Sequence, residues 1–468
     1  MSFFHGVETI NVAGLVTPAV AVETGVIGLV GVAPQGAINT LTLCNSVQDT
    51  EQFGGNLYPM SINRALDHIY REDPAAKVLV VNVYDPSTDS TTVNDEAITI
   101  TNGKATLGFP VLFEAAAPVI EGGSPWATFV EGTDYTISEY GVVTIIPSGD
   151  IAEGDTVYVT YDTHDVSGFV AGDFVGTTSP RTGFKMFVEA FDTFGVNPMI
   201  LICPEYSALD VVANEMEAQA DYFRARCIID DTQGQTRTQL IANRTTSGKA
   251  SATTSTRVMV AAPWIKDYDY LGVLTNYPYS SVLAGVWSKV VRLQGYWVSP
   301  SNQPSKVIVS PEYAMLGTGP NDPSGDIQLL NAAGITSIVK HGGVYRTYGN
   351  RSAAYPSSSE VKNFAAIQYV DDIVSIQIEL TLIPYIDKPI TPALVDAIKA
   401  TCNAFIASLI QRGALLEGSE VYYDPADNPA IELAAGHITF RRVYASGTPA
   451  ERITFKSTFD INLLTQLS

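Results

Sequence analysis

The chain has 468 residues, 46% hydrophobic and 16% charged, enough apolar chain to bury a sizeable core and to exclude a mostly disordered protein. Asp and Glu number 49 against 27 Lys and Arg, a formal net charge of −22, and no basic run offsets it, which argues against direct contact with nucleic acid or an anionic membrane. Apolar runs such as Val78–Val81 fall far short of the ~18 residues of a membrane span, and Met1–Val20 lacks a secretory pattern, so a soluble chain made in a cytoplasm is expected.

In chain order, Val7, Ile10 and Val12 are interleaved with polar residues and read as an extended arm without a local partner. Val26–Val32 reads as a buried strand. Ser61 reads as the cap of a helix carrying Ile62, Ala65, Leu66, Ile69 and Tyr70, and Lys77–Tyr84 as the next strand, the opening of an α/β sheet. Between Pro86 and Asp165 the character changes. Thirteen acidic residues there face one basic residue, Lys104, and short β-rich runs at 97–101, 104–109, 134–138, 142–146 and 156–161 are punctuated by Gly and Pro. With no helical period, that stretch predicts a small all-β sandwich inserted into the α/β domain. Helices over about 180–194, 208–224 and 236–246 then lead to strands at 198–203, 226–230 and 257–262, a rhythm that implies parallel pairing with right-handed crossovers.

Further on, Thr391-Pro392 opens a helix in which Leu394, Ile398, Cys402, Phe405 and Leu409 recur at spacings of three and four, and Gly413 ends it. At the C-terminus Ile453, Phe455, Phe459, Ile461 and Leu463 fall at even spacings among Thr454, Lys456, Thr458, Asp460 and Asn462, the period of a strand with one buried face. Unpartnered strands at both ends point to strand exchange between subunits.

Residues for catalysis do not assemble on paper. Gly28-Leu29-Val30-Gly31 is not a dinucleotide fingerprint, and neither a phosphate loop nor a G-x-S-x-G elbow occurs. Asp267-Tyr268-Asp269 reads as a solvated loop rather than a metal pair, and Asp322–Asp326 as a turn held by Asp side chains. His5, His68, His164, His341 and His437 are singletons, with His68 near a helix surface. Cys44, Cys203, Cys227 and Cys402 are scattered and read as buried free thiols. The reading assigns no catalytic, metal or cofactor residue, and its rival is an α/β hydrolase or nucleotide-binding enzyme bearing a β-sandwich.

Several stretches, in order, resemble the tail sheath proteins of contractile phage tails and R-type pyocins. They are Phe4-His5-Gly6-Val7-Glu8, Val26–Gly31, Gly295–Asn302 (GYWVSPSN), Leu330–Ile335 (LNAAGI), Tyr348–Ser352 (YGNRS), and Asp387–Thr391 with the following helix. The resemblance spans the chain apart from the acidic insertion. Tyr348 stands where Trp is usual, Ser352 where Thr is usual, and Gln368-Tyr369 where two arginines are common.

The resemblance implies a structural protein without cofactors that polymerises with itself around a tail tube protein, contacts baseplate and tail-terminator proteins, and resides in the virion tail. A related contractile injection particle is the alternative. It also implies that terminal arms, through Val7, Ile10, Val12, Ile453, Phe455, Phe459 and Ile461, add strands to neighbouring subunits. The helix from Thr391 to Arg412, with Lys399 and Arg412, is the candidate tube contact. The expected organisation is an arm (1–22), a first α/β core part (23–85), the acidic β-sandwich (86–165), a second core part (166–450) and a C-terminal strand arm (451–468).

Overall fold

The computed structural model describes residues 22–55, 60–113, 116–123, 125–165, 167–269, 272–319 and 321–461. Val7, Ile10, Val12 and Leu463 lie outside these. Alternation along the core strands sorts their side chains onto two faces. Ile27, Leu29, Val78, Val80 and Ile200 enter one hydrophobic cluster, and Val30, Leu79, Val81, Leu201 and Ile229 enter a second.

Eight strands form the sheet, in the order Val344–Tyr348, Ile335–His341, Val258–Ala261, Arg226–Asp230, Ile200–Ile202, Ile27–Gly31, Val78–Asn82 and Leu41–Cys44. The inner six run parallel, and each outer strand is antiparallel to its neighbour. Strands from both sides of residues 86–165 therefore share one sheet. Helices Ser61–Glu72, Ser280–Gln294, Ala365–Leu382 and Pro392–Gln411 contribute to the first cluster, while Asp210–Phe223 and Arg237–Asn243 contribute to the second. All four cysteines are buried free thiols, in line with their scattered spacing.

Several local expectations are corrected. Ser61 is the first helical residue rather than the cap, because its Oγ accepts the Val32 N–H at 3.0 Å and so completes the end of the neighbouring strand. His68 is buried, not superficial, since this helix is covered almost all round. Asp267 is buried on the strand Ile265–Tyr268 and not in a solvated loop. The helix expected over 180–194 divides into a 3-10 segment, Gly183–Glu189, and a short α-helix, Ala190–Phe194. Phe184 and Phe187 both enter the core at a spacing of three, which suits the tighter turn.

The acidic stretch holds two antiparallel sheets. One contains Ser90–Thr99, Thr156–His164, Val119–Gly122 and Ala127–Phe129, and the other Lys104–Thr106, Val142–Ile145 and Tyr135–Ile137. They share a cluster of their own that includes Ile98, Ile120, Tyr135, Val143, Val157 and Tyr161. Many of the carboxylates secure turns. Asp134 accepts the N–H groups of Val130 (2.7 Å) and Asp150 (3.0 Å), and Glu153 accepts those of Asn102 (2.6 Å) and Gly103 (2.8 Å). Glu96 accepts from Gly108 N–H at 2.8 Å and from Tyr161 Oη at 2.6 Å.

Candidate functional site

The helix Pro392–Gln411 starts where its sequence says it should: Thr391 Oγ1 accepts the Leu394 N–H at 3.2 Å, and proline holds the first helical position. It is long and apolar enough to cross a bilayer by length and composition, yet Ile398, Cys402, Phe405, Ile406 and Leu409 are buried in the core, which accounts for its apolar character. Beyond Gly413 the chain builds a two-stranded antiparallel sheet, Glu420–Tyr423 against Phe440–Val443, which the sequence reading did not anticipate. Asn403 fastens it to the helix, donating to Val421 O and accepting Val421 N–H, both at 2.8 Å. That side chain occupies one edge of the small sheet. The outer edge of Phe440–Val443 has no strand beside it among the described residues.

From the same sheet the chain continues into the C-terminal segment. Residues 451–460 have no regular secondary structure, and Ile453, Phe455, Phe459 and Ile461 are 74%, 87%, 81% and 69% exposed. The expected strand with one buried face is not formed over residues 451–461: among the described residues no strand pairs with this stretch to supply hydrogen bonds and cover its apolar side chains.

The structure does not bring Lys399 and Arg412 together. Lys399 is exposed and pairs with Asp396 at 3.2 Å, one turn back on its own helix. Arg412 closes the helix, its guanidinium 5.1 Å from the Trp297 ring centre. At 100° and 1.5 Å per residue the two positions lie about 20 Å apart along the axis and about 140° apart around it.

Polar clusters inside the core are held together largely by ion pairs and hydrogen bonds among their own side chains. The ligand atoms of Asp67, His68 and Asp267 lie within 4.8 Å of one another, but Arg71 donates to both carboxylates, and His68 Nδ1 lies 2.9 Å from Ser281 Oγ. Burial raises the Asp267 carboxyl, and the hydrogen bonds from His68 and Arg71 outweigh it, so the group stays below the usual range. A cation already fills this place. Asp230, at the end of its strand, is pushed up to about 7 by burial despite hydrogen bonds from Ser280 and Ser207. Nearby Glu205 is raised to about 7 by burial and by the charge of Asp230, with Arg64 opposing.

A third cluster explains Gln368-Tyr369. Arg226, wholly buried, and Arg257 each donate to Asp372 Oδ2 at 2.6 Å, and Gln368 Nε2 donates to Oδ1 at 3.2 Å. The Tyr369 ring centre lies 5.9 Å from the Arg226 guanidinium. Here Arg226, the first residue of its strand, and Arg257, in the turn just before Val258–Ala261, supply the cations that pair with the helix Ala365–Leu382.

With this architecture in view, comparisons with known proteins are direct. No family model matches the chain. The tail sheath protein of Burkholderia phage BcepMu is 35% identical over 97% of this chain and 96% of its own length. Two solved structures share the fold. One is the sheath of an extracellular contractile injection system in its contracted state, with a TM-score of 0.61, 13% identity and 99% of each chain covered. The other is the helical sheath of the anti-feeding prophage, also contracted, with a TM-score of 0.61, 15% identity, and 98% of this chain and 99% of that one covered. The chain belongs to the tail sheath protein family, and it is a structural protein, not an enzyme.

Proposed function

We propose that this chain polymerises helically around a tail tube in a metastable extended state and contracts to drive the tube through a host envelope for genome delivery. The observation that carries the reading is that Ile453, Phe455, Phe459 and Ile461 are all exposed, in a chain whose small two-stranded sheet has an open edge at Phe440–Val443 among the described residues. A lone two-stranded sheet is marginal in water, and added strands would complete its backbone hydrogen bonding. The C-terminal arm, and the N-terminal arm through Val7, Ile10 and Val12, would supply such strands to neighbouring subunits. Main-chain bonds would then tie the lattice together while the rigid α/β cores repack, with free energy stored at assembly and released as intersubunit surface is buried.

In the same reading, residues 86–165 are an inserted β-sandwich on the outside of the sheath, where 13 carboxylates are best hydrated. The tube protein, baseplate and tail-terminator proteins are the partners, the helix Pro392–Gln411 is the tube-facing candidate, assembly takes place in the host cytoplasm, and the product resides in the virion tail. A sheath of a related injection particle is the second reading, favoured by the fold shared with such sheaths.

Negative-stain microscopy of the purified chain over a concentration series, alone and with a tube protein, tests this. Hollow ridged tubes are expected from the full chain. A chain lacking residues 452–468 should keep a native-like circular dichroism spectrum and form none. Tubes from the truncated chain would overturn the C-terminal strand exchange, and failure of the full chain on a tube template would overturn polymerisation.

A further inference from the structure

Two stretches that carry the sheath resemblance, Leu330–Ile335 and Tyr348–Ser352, belong to neither arm nor to the tube-facing helix. In the structure they meet. Asn331, with its amide nitrogen turned inward, donates to Ile335 O at 2.8 Å and to Tyr348 O at 3.0 Å, joining the end of the helix Asp326–Ala332 to the sheet edge. Gly334 (φ +73°) and Gly349 (φ +142°) allow close backbone approach there: a Cβ on the first would lie 2.3 Å from Tyr355 O and on the second 2.8 Å from Thr336 Cα. The result is a cavity of about 350 Å³ whose wall also includes Ala450 and Glu451, at the root of the C-terminal segment.

Arg351 projects from this scaffold. Its guanidinium lies 3.7 Å from the Phe364 ring centre and 4.9 Å from that of Tyr355. Its Nε and Nη2 donate to Glu451 Oε1 at 2.8 Å and Oε2 at 2.6 Å. An exposed single ion pair is worth little, but a stacked guanidinium presents its fork already aimed, and a bidentate carboxylate contact adds direction to energy. On the upstream side, Leu416 N–H donates to Ala445 O at 2.8 Å. Downstream, every residue from Arg452 to Ile461 is exposed.

We infer that Arg351 and Glu451 form a clamp that sets where, and in which direction, the C-terminal arm leaves the core, and that the two motifs are the socket built to hold it. The contact stands on its own geometry; its purpose, aiming the arm at the sheet edge of a second copy of this chain, rests on the strand-exchange reading. Without the clamp the tether would begin at residue 446, lengthening it by about 20 Å of extended chain and releasing its direction.

The test uses the full chain with nitroxide labels on Thr448→Cys and Ser359→Cys, selective because the four native thiols are buried. Pulsed dipolar distances should form one narrow distribution, and Glu451→Gln should make it about twofold broader. The same variant should raise the concentration at which tubes appear. Glu451 sits on the surface of the strap, so this variant keeps the test open even if Arg351→Gln fails to fold. An unchanged width overturns the clamp. Tubes formed without residues 452–468 overturn the arm reading instead, and the label width then decides the clamp by itself.

Discussion

Burial pushes the carboxyls of Asp230, the last residue of its strand, and Glu205, in the turn after Ile200–Ile202, up to about 7. In the unfolded chain both would titrate near 4. The folded state therefore binds more protons between about 4 and 7, and the stability this contributes is complete below about 4 and lost as pH rises through about 7. Each group contributes a slope of at most about 1.4 kcal/mol per pH unit. Asp230→Asn keeps an acceptor for the Ser280 N–H and removes one titration, so denaturation midpoints measured from pH 5 to 7.5 should fall less steeply than in the parent. An equal slope would show that the burial of Asp230 is not what couples stability to pH. His164 acts with the opposite sign. Burial pulls it down to about 4, so its contribution is present above about 6.5 and lost as pH falls through about 4.

Among the elements, five of the six parallel strands were legible as apolar runs alternating with helical periods, whereas Ile335–His341 was not: its apolar residues are broken by Thr336 and Ser337, and the helix before it, Asp326–Ala332, is only seven residues long, too short to show a period. The hairpin Glu420–Tyr423 and Phe440–Val443 was not: its strands are four residues long, carry Glu and Arg, and are separated by a short helix, so no local period marks them. Val119–Gly122 and Ala127–Phe129 escaped for the same reason of length. The alternating tail reads as a strand in sequence, yet residues 451–460 form none in the described chain, so its period alone does not place it. The clamp was beyond sequence reading, since Arg351 and Glu451 are 100 residues apart and each is an ordinary charged residue on its own. The helix Pro392–Gln411 presents Lys399 to solvent, with only Asp396 nearby in sequence to neutralise it. Lys399→Glu is expected to weaken binding to a tube protein in co-sedimentation while leaving self-assembly intact, and undiminished binding would remove this face from the tube contact.

At the scale of the molecule, the acidity of residues 86–165 has two origins. Asp134, Glu153 and Glu96 are committed to turn amides, so part of the charge is required for the segment to fold, and only the remainder is free to act on its surroundings. If the segment faces outward, brief protease treatment of assembled tubes should nick it at the same sites and nearly the same rate as in the dispersed subunit. Full protection in tubes would place it at a subunit contact.

The two ends of this segment leave the core side by side. Ser90 pairs with His164, Asp165 N–H donates to Asp89 O at 2.9 Å, and Tyr84 Oη lies 2.5 Å from His164 Nδ1. If residues 86–165 are the inserted module proposed above, a segment entered and left through one doorway would act as a cassette, its contents open to exchange or shortening while the register of the sheet beneath is kept. Repeated on every subunit of a helical array, even a feeble affinity carried by such a cassette would be multiplied into avidity, since each engaged copy raises the local concentration of the next.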